Sequence, residues 1–408
     1  MLPLSIEKIN EALLLELCEE GCPESQTLEF KRELPGKLEQ DKHELCKDVV
    51  ALANAEGGDL VYGIEEKDGV ANKIVSISTE DGDATERRIR QVLDAGIEPK
   101  IHGLRIQQIS VSEGYVLILR VPASYDGPHC IRTDKNSKQQ RRFVMRNGTM
   151  ISDMSYDQIR GAFDRTATLA EQARRFIATR RELIAKGETP VPLKSGPQLV
   201  VHLVPISGLA GRLAVDLMPI YKNGMHEFTG SFWRNSFSST FNFDGLVIHT
   251  NDMGEDGYHG YNHIFRIGAL EDIRHGVVRF GDGVKESTDD KLVGASLMSK
   301  FFYNSLKRRI ENLKSLGFSG PALFGLGILN VKGYKLHIEI DTLHDLYHRS
   351  SKTVDHQHLV PSEVWIEDID TVDIDSIIRP LLDTLWQAFG IEHCPYFDDA
   401  TGKFAPRR

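Results

Sequence analysis

The sequence predicts an α/β N-terminal domain followed by a separate mixed α+β domain, on three observations. Early in the chain, short apolar runs alternate with helical stripes: Thr27 to Lys31 reads as a strand and Asp41 to Ala55 as a helix. Asp59 to Ile64 then reads as a second strand. Gly187-Glu188-Thr189-Pro190-Val191-Pro192 next punctuates the chain with two prolines and a glycine, the best candidate for a linker. Beyond it, Gln198 to Pro205 opens a β-rich region. The expected boundaries are a first domain at 1–165, a helical linker at 166–192 and an α+β domain at 193–408.

Each element follows from its residues. Residues 6 to 20 place apolar and acidic positions at helical spacing, giving an opening helix. In the helix from Asp41 to Ala55, Leu45, Val49, Leu52 and Ala53 share one stripe, and Gly57-Gly58 stops it and feeds the next strand. Asp83 to Ala95 is a further helix, with strands near 101–111 and 115–122. The basic segment 132–142 reads as a loop or hairpin tip, and Ser155 to Thr179 as a helix that leads out of the domain. In the second half, strands are expected near 240–249, 263–267, 277–280 and 334–340, and helices near 292–316 and 374–389. No internal repeat is visible.

Composition excludes several classes. A chain of 408 residues with 40% hydrophobic and 26% charged residues has the length and make-up of a soluble two-domain protein. No apolar run approaches a membrane span, and the first residues lack the basic and apolar regions of a secretory signal. Five scattered cysteines with no Cys-x-x-Cys pair argue against a disulfide framework or zinc site, and fit a cytoplasmic protein.

The formal charge of −10 runs against nucleic-acid binding, but charge is patterned. Arg132, Lys135, Lys138, Arg141, Arg142 and Arg146 lie close together with one acid, Asp134, among them. Two further basic groups stand at 174–186 and 300–314. Each serves equally as a solvated face.

Glu24, Glu29, Glu65 and Glu66, with Lys31 and a tight glycine turn, fall within one short α/β unit. Phosphodiester hydrolysis needs an activated water, neutralised transition-state charge and a supported leaving oxygen. Carboxylates holding Mg²⁺ or Mn²⁺ supply all three. By spacing alone the same acids serve as well as helix caps, solvated side chains or turn residues.

The ordered set of pieces narrows this. Glu24-Ser25-Gln26-Thr27-Leu28-Glu29-Phe30-Lys31, Ala51-Leu52-Ala53-Asn54-Ala55-Glu56-Gly57-Gly58, Gly63-Ile64-Glu65-Glu66, Ile97-Glu98-Pro99 and Phe143-Val144-Met145-Arg146-Asn147-Gly148-Thr149 are collinear. Together they resemble the Schlafen AlbA-type domain over about residues 20–165. The resemblance implies a divalent-metal-dependent endoribonuclease acting on structured RNA such as tRNA, in the manner of a defence or toxin effector. The acidic triad carried over is Glu24, Glu29 and Glu66, both catalytic and metal-binding, with Mg²⁺ or Mn²⁺ as cofactor. Glu66 stands where the family usually has aspartate, one methylene shorter. Lys31 would contact the scissile phosphate. Arg132, Lys135, Lys138, Arg141, Arg142 and Arg146 would grip nucleic acid, RNA before DNA; for Arg146 a salt bridge to an acid at the edge of the core is the equal alternative. A single such lobe implies a homodimer, and residues 193–408 would sense a protein or phage trigger, position substrate or oligomerise. The reading from a different class is a non-catalytic DNA- or RNA-binding regulator on the same fold.

ATP binding has no support, since no G-x-x-x-x-G-K-[ST] occurs. His249, His259, His263, His275, His344, His348, His356 and His358 read as surface residues; the missing glutamate of H-E-x-x-H argues against a zinc protease. Phe228, Phe232, Trp233, Phe237, Phe241 and Phe243 read as a β core.

Overall fold

The computed structural model describes residues 6–125, 127–135, 138–210, 214–229, 237–250, 257–277, 291–338 and 351–406. The side chains of Asp134, Lys135, Lys138 and Gln139 lie outside the described residues. Two compact units emerge, Met1–Thr168 and Leu169–Arg408.

The first unit is α/β. Helix α1 (Glu11–Glu19) begins where the Asn10 side chain accepts the Leu13 N–H at 3.0 Å. Strand β1 (Leu28–Lys31) follows, then α2 (Glu39–Ala53), β2 (Gly57–Tyr62), β3 (Ile64–Lys67) and β4 (Val70–Ile74). Helix α3 (Gly82–Gly96) is capped by Asp81, which accepts the Ala84 N–H at 3.0 Å. After it come β5 (Ile97–Glu98), β6 (Arg105–Val111), β7 (Gly114–Pro122), β8 (Cys130–Lys135), β9 (Lys138–Arg142), β10 (Val144–Asn147), β11 (Met150–Asp153) and α4 (Tyr156–Ala185).

A four-stranded sheet in the order β1-β2-β7-β6 forms the centre, with β1 parallel to β2 and the other pairs antiparallel. Side chains alternate across it. Leu60, Leu117 and Leu119 pack against Leu45, Val49 and Leu52 of α2 and Ile89 and Leu93 of α3. Leu28, Phe30, Val61, Val116 and Ile118 pack on the opposite face with Leu14 and Leu17 of α1. The basic segment is a hairpin: β8 and β9 pair antiparallel, Arg132 opposite Arg141.

The turn from α2 into β2 explains the A-x-A-N-x-x-G-G residues. Asn54 Nδ2 donates to the carbonyls of His129 and Val144, both at 2.8 Å, and its Oδ1 accepts the His129 N–H at 2.8 Å. One side chain thereby clamps the end of α2 to the starts of β8 and β10. Gly58 has φ +150°, and a Cβ there would lie 2.4 Å from the Thr27 carbonyl oxygen, so only glycine lets β2 run this close to β1.

The second unit is α+β. Strands β12 (Gln198–Pro205), β13 (Phe237–Phe241), β14 (Gly245–Thr250), β15 (Gly260–Phe265), β16 (Leu270–His275), β17 (Leu292–Gly294), β18 (Ala322–Leu329), β19 (Lys335–His337) and β20 (Val364–Ile366) occupy it. Seven of them form an antiparallel sheet in the order β13-β14-β15-β16-β12-β18-β20. Helices Ala295–Ser315 and Ile374–Ala388 cover one face through Phe302, Leu306, Leu382 and Trp386. On the other face Ile184 of α4 packs with Val200, Val247, Tyr261 and Ile273. Residues 169–185, within the stretch read as a linker, belong to the second unit, and Ile184 to its core.

Two expectations change. His249 and His263 are buried rather than at the surface, because both sit on sheet strands covered by other elements. Phe243 is 94% exposed and Phe241 40% exposed, since they lie at and beside the turn that joins the edge strand β13 to β14 and not in the core; Phe228 is buried. Phe232, Trp233, His344 and His348 fall outside the described residues.

Candidate functional site

The period of β1 decides which side chains meet. Phe30 enters the α1-side core, so Glu29 and Lys31 emerge together on the α2 side, opposite Leu60 and Tyr62 of β2. There Lys31 Nζ lies 2.5 Å from Glu29 Oε1 and 3.5 Å from Asp48 Oδ2 of α2. The other Glu29 oxygen is taken by Arg146 of β10. Glu29 is buried at 8% exposure and its carboxylate is spanned by two cations. Burial pushes its pKa up, but Lys31 and Arg146 outweigh that and hold it below the usual carboxylate range.

Glu24 arrives from the segment before β1. Its N–H donates to the Gly69 carbonyl at 2.9 Å and the Ala71 N–H donates to the Cys22 carbonyl at 2.9 Å, tying that segment to the β3–β4 hairpin. Glu24 Oε1 accepts the Phe30 N–H at 2.9 Å. The Glu24 pKa is raised, first by burial, against the Phe30 hydrogen bond; the negative charges of Glu66 and Glu29 raise it further, and Arg146 opposes them.

The register of β3 against β4 shifts between Glu65 and Glu66, so the two neighbours part company. Glu65 pairs with Arg32 and with Lys73 at 2.9 Å. Glu66 is exposed, and its charge reaches Glu24. The structure thus brings Glu24, Glu29, Glu66 and Lys31 into one electrostatic neighbourhood from three separate segments.

The basic segment divides. Arg146 was expected to grip nucleic acid, yet it is 2% exposed. Its guanidinium donates to the Ser25 carbonyl from Nε at 3.2 Å and from Nη2 at 3.0 Å, to the Gly148 carbonyl at 3.1 Å and to Glu29. Every arm is spent inside the protein, so it organises the acids rather than meeting solvent. Arg141 Nε turns to Glu98 Oε2 at 2.8 Å, and Arg142 Nε to Asp153 Oδ1 at 2.6 Å. Arg132 is exposed. Lys135 and Lys138 end β8 and begin β9, and their side chains lie outside the described residues.

Asp48 was missed in the sequence. It is 4% exposed, and burial lifts its pKa to about 6 against the pull of Lys31, with the Glu29 charge adding. The signal was present: an aspartate three residues after Leu45 and next to Val49 stands on the apolar stripe of α2, where an acid needs a partner.

Hard divalent cations take carboxylate oxygens and water. Among the described residues, Glu24 Oε2 and the Glu66 carboxylate accept no hydrogen bond or ion pair, and like charge crowds Glu24. Those two fit such a cation. Glu29 has both oxygens engaged, and among the described residues no three His, Cys, Asp or Glu stand in metal-ligand arrangement.

No curated protein matches the chain. Among solved structures, the DIP2311 protein from Corynebacterium diphtheriae is similar at 23% identity, covering 35% of this chain and 26% of that one, with a TM-score of 0.24. The chain thus spans about a quarter of that protein's length. The N-terminal domain of a DNA helicase RecG-related protein from Nitrosomonas europaea is similar at 16% identity, covering 36% of this chain and 93% of that one, with a TM-score of 0.26. Residues 24–155 match the family model described as Schlafen, AlbA_2, and that span holds Glu24, Glu29, Lys31, Glu66 and Arg146. The chain therefore carries a Schlafen AlbA_2 domain over residues 24–155.

Proposed function

We propose that this domain is a divalent-metal-dependent endoribonuclease acting on structured RNA such as tRNA. A Schlafen AlbA_2 domain links the chain to a nucleic-acid-related function. The observation that supports a cleavage site is the convergence of Glu24, Glu29 and Glu66 beside Lys31. Glu24 and Glu66 would hold Mg²⁺ or Mn²⁺. Once bound, such an ion acts as a Lewis acid and lowers the pKa of its water. Lys31, about a third exposed while its partner Glu29 is nearly sealed, would contact a phosphate oxygen. Glu29 fixes Lys31, and Arg146 fixes Glu29.

A homodimer pairing two such domains around a folded RNA, a defence role and a sensing role for residues 193–408 belong to the same proposal. Light scattering on the purified protein tests the first; a monomer at micromolar concentration removes it. The second reading is a regulator that binds nucleic acid without cutting it. Its support is the saturation of both Glu29 oxygens by Lys31 and Arg146.

Incubating the protein with tRNA and duplex DNA, with Mn²⁺ or with EDTA, separates the two. Cleavage of tRNA that needs Mn²⁺ and falls at least ~100-fold in Glu24→Gln and Glu66→Gln supports the enzyme. Binding without cleavage in every condition overturns it in favour of the regulator.

A further inference from the structure

A cleft of about 1240 Å³ lies between α2, α3 and the β8–β9 ribbon. Lys37, Lys42, Lys47, Arg88, Arg132 and Arg142 line it, against two acids, Glu39 and Glu44. In a chain of net charge −10, that is a local reversal of sign. Only Arg132 and Arg142 were expected to face nucleic acid; the other four come from α2, its approach and α3.

Several of these cations already have carboxylate partners. Lys42 pairs with Glu39 at 2.7 Å, Lys47 with Glu44, Arg88 with Glu80 at 2.8 Å and Arg142 with Asp153 at 2.6 Å. Ion pairs at the protein surface are weak, so a phosphate oxygen can replace the carboxylate at little cost. Exchange is easiest at Lys37 and Arg132, both exposed, and at Lys42, whose partner Glu39 is almost fully exposed.

The cleft is larger than the range of roughly 300–1,000 Å³ typical of small-molecule pockets. Its apolar part includes Val92, Ala95, Ile131 and Ile151; among the described residues no Phe, Tyr or Trp lines it, and His43 is its one ring. Proteins that hold single strands by their bases stack them on aromatic rings. This cleft has six cations and a single imidazole, a surface that meets phosphates and leaves the bases unread.

The cleft and the acidic site share helix α2. Lys47 lines the cleft, and the next residue, Asp48, pairs with Lys31, which pairs with Glu29. Buried Tyr62, opposite Lys31 in the β1–β2 register, feels charges from both: burial raises its phenol pKa, the charges of Asp48 and Glu29 add to that, and Arg88 of the cleft opposes them.

We infer that this cleft is a track for one nucleic-acid strand, gripped through its phosphates without regard to sequence and leading to the Glu24–Glu29–Glu66 site. The inference rests on the nucleic-acid-processing reading and adds the path the strand takes.

The test is fluorescence anisotropy of the full chain in EDTA, so that cleavage plays no part. The probes are labelled RNAs of about 20 nucleotides, one oligo-U and one of mixed sequence, across roughly 50 to 200 mM KCl. The variant is Lys37→Glu/Lys42→Glu/Arg132→Glu. The charge-matched control is Arg174→Glu/Arg175→Glu/Lys307→Glu, all exposed and none among the residues that line the cleft. Thermal melting confirms that both fold. The cleft variant is expected to bind at least ~30-fold more weakly, and its salt slope to fall by about 2, as three lost single-strand phosphate contacts require. The control is expected to stay within about threefold of wild type. Equal loss in both variants, no loss in either, or a tenfold preference of wild type for one RNA overturns the inference. The two proposals fail separately: Mn²⁺-dependent cleavage with unchanged KM in the cleft variant sinks the track and leaves the nuclease. Cleft-dependent binding without cleavage does the reverse.

Discussion

Arg146 on β10 and Glu29 on β1, 117 residues apart in the chain, form a buried ion pair in which the arginine also holds the Ser25 and Gly148 carbonyls. The pair fixes the position of Glu29.

Removing the cation leaves a buried, half-paired carboxylate. Arg146→Ala is therefore expected to cost about 3–5 kcal/mol, the range for breaking a buried pair from one side. Urea denaturation measures it; a cost under about 1 kcal/mol would show that Arg146 is not structural.

Asn54 satisfies three backbone groups, two carbonyls and one N–H. Asn54→Ala should destabilise the domain by roughly 2 kcal/mol or more, since buried groups lose partners. Asn54→Asp should be worse, because it turns a carboxylate oxygen towards two carbonyl oxygens. Equal stability of the aspartate variant and wild type would refute the clamp.

Two glycines at positive φ differ in what a Cβ would meet. Gly148 has φ +63° with open space around a Cβ, so Gly148→Ala is expected to cost only about 1–2 kcal/mol for the left-handed backbone. Gly58→Ala meets the Thr27 carbonyl and is expected to cost more and to disturb the approach to β1. Chemical denaturation ranks them, and the reverse order would contradict the account.

These particulars show what the sequence carried. Alternation along Leu28–Lys31 was enough to send Phe30 into the core and Glu29 and Lys31 to the other face, and the helix over 41–55 followed from one apolar stripe. The fate of Arg146 was half legible: the sequence allowed a nucleic-acid contact or a salt bridge to an acid at the core's edge, and the structure has the salt bridge, to Glu29. Local composition grouped it with the exposed arginines, whereas its partners come from the far end of the domain. The distinction between Glu65 and Glu66 depends on a register shift, which no residue type announces. Buried His263 looked like a surface histidine because its covering elements are remote in sequence.

Burial sets two opposite pH dependences. His129 is 1% exposed and its pKa is pushed down to about 4, first by burial, although its hydrogen bond to the Pro99 carbonyl acts the other way. The unfolded chain takes up that proton near pH 6.5 and the folded one only near 4. Its contribution is complete above 6.5 and is lost as pH falls through that window. Asp48 has the reverse sign: its pKa of about 6 lies above the unfolded value, so the folded state binds its proton first and gains stability as pH falls from 6 towards 4. The stability of Asp48→Asn relative to wild type should therefore rise with pH between about 4 and 6 and level off above. A difference flat across that window would contradict the burial assigned to Asp48.

The central claim is that Glu24 and Glu66, held beside the Glu29–Lys31–Arg146 set, form a cation site. Mn²⁺ titration followed by electron paramagnetic resonance of the free ion tests it most directly, on wild type, Glu24→Gln, Glu66→Gln and Glu65→Gln. The account predicts saturable binding by wild type, weakened at least ~10-fold in the first two variants and unchanged in Glu65→Gln, whose carboxylate is already paired. Absence of saturable binding, or equal weakening by Glu65→Gln and Glu66→Gln, would contradict it.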